Sequence, residues 1–108
     1  MPSLCREGEV LATVEVADTR AARRRGLLGR DACDGGLVLT PARAVHTLGM
    51  RFDLDVAYLA RDGRVLVTRR MRRHRLGAPR LRARSVLEAE AGAFERWSLR
   101  PGDVVELR

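Results

Sequence analysis

The densest group of chemically reactive side chains lies between residues 46 and 55. His46 is followed by Met50 and then by the carboxylates Asp53 and Asp55. A histidine near a carboxylate is the minimum arrangement for general acid–base catalysis, because its pKa lies near neutrality and the anion orients the imidazole. The alternative is structural, since Asp53 and Asp55 alternate with apolar residues as on the polar face of a strand. We favour the structural interpretation because no nucleophile motif accompanies the group.

The other reactive side chains form no familiar catalytic or metal-binding motif. The sequence contains no G-x-S-x-G, H-E-x-x-H or P-loop pattern. Cys5 and Cys33 lack the C-x-x-C spacing and are expected to be reduced thiols. Arg30 would lower the pKa of the Cys33 thiol, whereas Asp31 and Asp34 oppose that effect. We therefore expect no metal and no cofactor, and a small binding or accessory module rather than a self-sufficient enzyme.

Positive charge is concentrated in one segment of the chain. All 21 basic residues are arginines, and the formal net charge is +7. Residues 61–84 hold ten arginines and one acid, a local net charge of +9. Arginine forks pair well with phosphate oxygens, so the segment is a candidate for weak, sequence-independent binding of polyanions such as nucleic acids. The candidate binding residues are Arg69, Arg70, Arg72, Arg73 and Arg75.

The alternative is that this basic segment is only a solvated loop. Charge runs are often exposed faces, and we favour that interpretation over physiological nucleic-acid binding. Gly77 and Pro79 indicate a flexible arm over residues 69–84 that contributes little to the core. No aromatic residue lies between residues 59 and 93, so the arm lacks a platform on which bases stack.

Alternating apolar residues predict about six short strands and one main helix. The helix is expected over Asp18–Leu28, with Gly29 where it stops. The predicted fold is a β-dominated α+β domain spanning residues 1–108, with a curled antiparallel sheet that forms a partly closed barrel or a sandwich. A parallel βαβ unit is disfavoured, because only one helix is available as a crossover. The strands are expected near residues 10–17, 37–39, 54–60, 65–67, 85–91 and 104–107.

Several polar and glycine residues have an expected structural role. Asp62 and Gly63 lie between two apolar runs, which is a strong hairpin signal. Gly102 and Asp103 follow a proline and predict a second tight turn. Arg30, just past the helix, and Glu88, in a predicted strand, are interpreted as a buried structural pair, because an arginine there bridges a carboxylate bidentately and ties the helix to the sheet.

The apolar runs are all shorter than the ~20 residues of a membrane span, and the N-terminus lacks a signal-peptide stretch, so we expect a cytoplasmic protein.

Five short motifs follow one another along nearly the whole chain. They are residues 16–30 (VADTRAARRRGLLGR), 50–56 (MRFDLDV), 61–65 (RDGRV), 86–92 (VLEAEAG) and 99–103 (LRPGD). In this order they resemble the prokaryotic family called domain of unknown function 192. The resemblance implies a small β-rich domain without an established biochemical role, so no catalytic residue is carried over.

Overall fold

The computed structural model describes the whole chain, residues 1–108, as seven strands and two short helices. The strands are β1 (Ser3–Arg6), β2 (Glu9–Ala17), β3 (Gly36–Leu39), β4 (Leu54–Leu59), β5 (Val65–Met71), β6 (Ser85–Glu90) and β7 (Glu106–Leu107). The helices are α1 (Arg20–Arg25) and α2 (Ala93–Trp97). Neither helix is long and apolar enough to cross a membrane. The β-dominated composition of the fold is as predicted, whereas β1 and the second helix exceed the predicted count.

The seven strands form one sheet in the order β5-β4-β6-β3-β2-β1-β7. Neighbouring strands are antiparallel except β2 and β3, which are parallel. This pair corrects the expectation of a purely antiparallel sheet. The connection from Ala17 to Gly36 contains α1 and a long loop, which is enough chain for the crossover that a parallel pair requires. The sheet does not close into a barrel: between its two ends Arg64 and Val104 form an isolated bridge, and three backbone hydrogen bonds join residues 63–65 to residues 102–105.

Helix α1 is shorter than the predicted helix because Gly26 ends it. Thr19 caps its start, where the Thr19 Oγ1 accepts a hydrogen bond from the Ala22 N–H at 3.1 Å. Gly26 has φ 49° and ψ −129°, a backbone conformation that a side chain would strain, and its N–H donates to the Ala22 carbonyl. The expected stop at Gly29 is therefore a turn that follows the helix. Leu27 comes directly after the cap and is buried in the core.

Both faces of the sheet are covered, which gives two apolar cores. The α1-side core lies under α1 and the loops that flank it, and Leu27, Leu54 and Val86 belong to it. The α2-side core includes Leu4, Leu87 and Phe94, with Trp97 packed against it. Because β4 and β6 lie between the two cores, their residues are almost all buried. A polar side chain on either strand is therefore buried whichever way it points.

The two predicted turns form where expected. The Asp62 Oδ1 accepts from the Arg64 N–H at 3.1 Å, and Gly63 has φ 90°, so the hairpin between β4 and β5 is confirmed. A Cβ at Gly63 would lie 2.1 Å from the Val105 carbonyl oxygen. In the second turn, the Asp103 Oδ2 accepts from the Arg100 N–H at 3.0 Å and from the Arg6 guanidinium at 3.0 Å. Asp103 thereby joins the C-terminal turn to β1.

Candidate functional site

A groove of about 460 Å³ lies beside the end of β5, and arginine side chains form much of its wall. We call it the basic groove. Its charged lining consists of arginines from β5 and from the segment that follows, and its floor includes Tyr58 of β4. The residues that line it are Tyr58, Arg69, Arg70, Met71, Arg72, Arg75, Leu76, Gly77, Ala78 and Arg80.

The segment that follows β5 is fastened to residues 43–47 by backbone hydrogen bonds. The Gly77 N–H donates to the Val45 carbonyl, and the Thr47 N–H donates to the Arg75 carbonyl, both at 2.8 Å. The buried Thr47 hydroxyl also donates to the Arg72 carbonyl at 2.6 Å. Residues 69–71 belong to β5 itself. These contacts correct the expectation of a flexible arm, because the arginines are held on a defined backbone.

Most guanidinium groups of the basic groove lack an acidic partner. Arg70 is paired, since its Nε donates to the Asp55 Oδ1 at 2.9 Å. No carboxylate lies within 4 Å of the guanidinium groups of Arg69, Arg72, Arg75 or Arg80. Arg80 lies 5.9 Å from the Tyr58 ring centroid, and its buried Nε has no hydrogen-bond partner. The groove therefore carries uncompensated positive charge, which favours anions.

Tyr58 supports the groove without exposing its ring. The side chain is buried, and its hydroxyl donates to the Ala78 carbonyl at 3.1 Å. Burial raises the pKa of Tyr58, while the nearby Arg80 and Arg69 lower it less, so the phenol stays neutral at physiological pH. Tyr58 therefore forms part of the floor of the groove and offers no exposed ring on which a base could stack.

Four of the five predicted binding arginines line the basic groove. Arg73 does not line it, and its backbone N–H donates to the Asp53 Oδ1 at 3.0 Å. Arg80 joins the groove although it is distant in sequence from the main arginine run. Arg80 belongs to the arginine-rich stretch of the sequence. It reaches the basic groove because the chain returns along residues 43–47, which the sequence does not show.

Asp55 is fully used by the fold. It is buried on β4, and its Oδ2 accepts hydrogen bonds from the backbone N–H groups of Gly92 and Phe94 at 2.9 and 3.1 Å. These are free donors at the start of α2, so the carboxylate caps that helix. With Arg70 on its other oxygen, Asp55 has three hydrogen-bond partners.

The structure does not join His46 to either predicted carboxylate. The His46 Nδ1 accepts from the Leu48 N–H at 3.2 Å, and no hydrogen bond links its ring to Asp53 or Asp55. The exposed imidazole instead lines a small cavity with Glu88. The acid–base alternative considered for residues 46–55 therefore has no hydrogen-bonded pair in this structure.

Arg30 bridges a carboxylate as predicted, but the partner is Glu15 on β2. Its two terminal nitrogens lie 2.5 and 3.1 Å from the two Glu15 carboxylate oxygens. This hydrogen bonding lowers the pKa of Glu15. Cys33 lies nearby, and burial raises the pKa of its thiol more than Arg30 lowers it. Cys33 is thus a buried thiol rather than an activated nucleophile.

Glu88 is buried, but the expected pair with Arg30 is wrong, and the sequence did not show that its carboxyl group has no partner. It lies on β6 with 3% of its surface exposed, and no hydrogen bond reaches its carboxyl group. Burial alone raises its pKa to about 7. The available signal was a glutamate in the middle of a strand-like apolar run, which is ambiguous because half-exposed strands have the same pattern.

Comparisons with known proteins agree with the fold. The family model DUF192, described as "Uncharacterized ACR", matches residues 3–107. A crystal structure of a protein of unknown function from Novosphingobium aromaticivorans DSM 12444 has a TM-score of 0.79 and 22% identity, covering 98% of this chain and 84% of that one. A crystal structure from Sinorhizobium meliloti 1021, described as a "putative transcription regulator", has a TM-score of 0.79 and 24% identity, covering 98% and 91%.

These likenesses extend over nearly the whole chain. No protein among the curated ones matches it significantly. The identity to both solved structures is below 25%, so they establish the fold and not an activity. The family match and the structural neighbours bring no assigned reaction. Since the family model spans residues 3–107, the chain belongs to the DUF192 family.

Proposed function

We propose that the chain is a binding module that holds the phosphate backbone of nucleic acids in the basic groove. One observation carries this proposal: the guanidinium groups of Arg69, Arg72, Arg75 and Arg80 surround one groove without an acidic partner. Arg69 and Arg75 each donate from one terminal nitrogen to neighbouring backbone carbonyl groups, but all four guanidinium groups keep further N–H donors for a phosphate oxygen. A fastened backbone lowers the entropic cost of ordering them. Arg70 adds charge at the same wall, although Asp55 holds part of its guanidinium.

The lining of the groove supports contacts to phosphates rather than to bases. Tyr58 is buried, and no other aromatic side chain lines the groove, so stacking on bases is not provided for. Helices α1 and α2 have six and five residues, too short to serve as a recognition helix in a major groove. Binding of this kind is governed by counterion release and is insensitive to sequence.

Two further observations agree with this proposal. The solved structure from Sinorhizobium meliloti is described as a "putative transcription regulator", and that description agrees with nucleic acid as the partner. Cys5 and Cys33 are both buried free thiols, which agrees with a reducing compartment such as the cytoplasm, where nucleic acid is found.

The test is a fluorescence-anisotropy titration of two unrelated labelled duplexes at several salt concentrations. The groove variant is R69Q/R72Q/R75Q, in which glutamine keeps the stem of each side chain and removes its charge. The matched control is R20Q/R61Q/R100Q, which removes the same charge from three exposed arginines outside the groove. We expect similar affinity for both duplexes, and a salt slope that falls by up to about 3 in the groove variant.

Three outcomes would reject the proposal. The first is no binding by the wild-type chain even at low salt. The second is an equal loss of affinity in the two triple variants, which would show that net charge acts without the groove. The third is tight binding to one duplex that persists at high salt, which would indicate base recognition by a different surface.

A further inference from the structure

The carboxyl group of Glu88 is buried and has no hydrogen-bond partner. Glu88 belongs to β6, between β3 and β4, and its strand neighbours are Leu37 and Val56. Its side chain lies in the α1-side core, where an unpaired polar group is unfavourable. A buried carboxyl group of this kind gains free energy when a ligand supplies the missing hydrogen bond.

A cavity of about 70 Å³ borders this carboxyl group. Half of its lining residues are apolar, with Leu27, Leu39, Val45 and Met50 among them, and the others include His46 and three arginines. For scale, an engineered cavity of roughly 150 Å³ holds benzene, so this space accepts a group smaller than an aromatic ring. Glu88 is the only acidic residue among those that line it. The Glu88 cavity is thus shaped for a small polar group that donates hydrogen bonds.

The backbone of Gly26 keeps this space open. Its conformation ends α1 beside Glu88, and a Cβ placed on it would lie 3.4 Å from the Glu88 Oε1. The glycine therefore combines a helix end with a close approach of the backbone to the carboxyl group. No side chain from residue 26 fills the gap between the helix end and the strand.

The mouth of the Glu88 cavity is basic. Arg24 and Arg25 line it and are exposed, and their guanidinium groups form neither a hydrogen bond nor an ion pair within the chain. Arg23 also lines it, but its guanidinium donates to the carbonyl groups of Asp18 and Thr40. No ion pair joins any of these arginines to Glu88. The cavity thus has an acidic inner end and a cationic rim that do not satisfy each other.

We propose that the Glu88 cavity binds a small amino-bearing anion, with the amino group hydrogen-bonded to Glu88 and the anionic group held by Arg24 and Arg25. An ammonium group donates three hydrogen bonds and compensates the carboxylate charge. A carboxylate or a phosphate pairs with the two guanidinium groups at the rim. The volume selects short molecules and excludes those with a ring at the amino end. This site is independent of the basic groove, with which it shares no lining residue.

The test is isothermal titration calorimetry of the full chain with four probes. Phosphoethanolamine carries both groups, ethyl phosphate lacks the amino group, and ethanolamine lacks the anion. β-Alanine replaces the phosphate by a carboxylate and shows which anion the rim prefers. We expect one of the two amino-bearing anions to bind at least tenfold more tightly than ethyl phosphate and ethanolamine.

Two pairs of variants assign the contacts. In E88Q, the preference for the amino-bearing anion over ethyl phosphate is expected to fall at least tenfold, whereas E90Q, on the same strand but outside the cavity, retains it. In R24Q/R25Q, the affinity for every anionic probe is expected to fall, whereas R20Q/R100Q retains it. R69Q/R72Q/R75Q is also expected to bind the probes normally, which separates this site from the basic groove.

The proposal is overturned if neither amino-bearing anion binds more tightly than ethyl phosphate. It is also overturned if E88Q, shown to be folded by circular dichroism, keeps the full preference. Should E88Q not fold, the rim variant R24Q/R25Q decides, because both side chains are exposed on α1 and contribute nothing to the core. Unchanged anion affinity in that variant would then reject the proposal.

Discussion

At the scale of single residues, both carboxylate oxygens of Asp55 accept hydrogen bonds within the fold. It is buried, it pairs with Arg70, and it caps α2 through two backbone N–H groups. We expect Asp55→Ala to lower the free energy of unfolding by about 3 kcal/mol, because the Gly92 and Phe94 N–H groups lose their acceptor and the exposed Arg70 loses its partner.

Urea denaturation followed by circular dichroism measures this loss. Asp53→Ala is the control, since Asp53 accepts one hydrogen bond at a partly exposed position, and we expect a loss of about 1 kcal/mol or less. Equal effects of the two substitutions would contradict the structural role assigned to Asp55.

Glu88 leads to a prediction about pH. Burial raises the pKa of Glu88 to about 7 in the folded chain, from 4.5 when it is exposed. Between these values the unfolded chain has lost the proton that the folded chain keeps, so stability falls as pH rises through this interval. In the ligand-free chain, we expect the ionisation of Glu88 to lower the free energy of unfolding by about 3 kcal/mol above pH 7 and to have no effect below pH 4.

The measurement is the free energy of unfolding of wild type and E88Q at pH 4 to 8. Wild type is expected to lose stability relative to E88Q as pH rises. Glu15 has the opposite sign, because the Arg30 hydrogen bonds lower its pKa and its contribution is lost only as pH falls below 4.5. It is present in both chains, so it leaves the difference between wild type and E88Q unchanged. A constant difference between wild type and E88Q across this range would show that Glu88 is not desolvated in the folded chain.

The contrast between Asp55 and Glu88 shows what a sequence reveals at this scale. Alternation assigns polar residues of a strand to a solvent face, but β4 and β6 have cores on both sides. Both carboxylates are therefore buried where the pattern favours exposure. Their different roles depend on α2 and α1, which approach from elsewhere in the chain.

At the scale of elements, short-range signals predicted the structure best. The hairpin at Asp62 and Gly63 depends on only four consecutive residues, and it forms as expected. The parallel pairing of β2 with β3 depends on a distant return of the chain and could not be read from periodicity. Similarly, Gly26 was expected inside α1, but its positive φ makes it the helix end.

Gly63 also provides a prediction at this scale. We expect Gly63→Ala to destabilise the chain by about 3 kcal/mol or more, because the strained φ is combined with a clash against the Val105 carbonyl. Gly8→Ala is the matched control, since Gly8 has φ 81° but nothing within 4 Å of a Cβ. It should cost about 1 kcal/mol, from backbone strain alone.

Thermal and urea unfolding of the two alanine variants measure the difference. A larger loss at Gly63 than at Gly8 is expected, and it isolates the close contact between the hairpin and the segment before β7. Comparable losses would show that the contact between residues 63–65 and 102–105 does not persist in solution.

At the scale of the whole molecule, charge is distributed unevenly over an otherwise ordinary fold. Residues 61–84 carry a net charge of +9, while the remaining residues carry 11 arginines and 13 acids. The sequence alone located this excess, but it did not show that the backbone is fastened or that Arg80 returns beside Arg69 and Tyr58. The fold places arginines from this run side by side along the basic groove.

This crowding of like charges predicts how anions affect the stability of the whole molecule. An anion that binds the folded groove and not the unfolded chain raises the free energy of unfolding by mass action. Sulfate is expected to stabilise wild type more than R69Q/R72Q/R75Q by roughly 1 kcal/mol, at a concentration near ten times its dissociation constant. The general stabilising effect of sulfate acts on both chains, so the difference between them isolates the groove.

Thermal unfolding in sodium sulfate and in sodium chloride of equal ionic strength measures this difference in stabilisation. R20Q/R61Q/R100Q is the control, and it is expected to keep the wild-type response. If the groove variant keeps that response as well, sulfate acts through ionic strength and surface exclusion, and the arginines of the groove do not hold anions together.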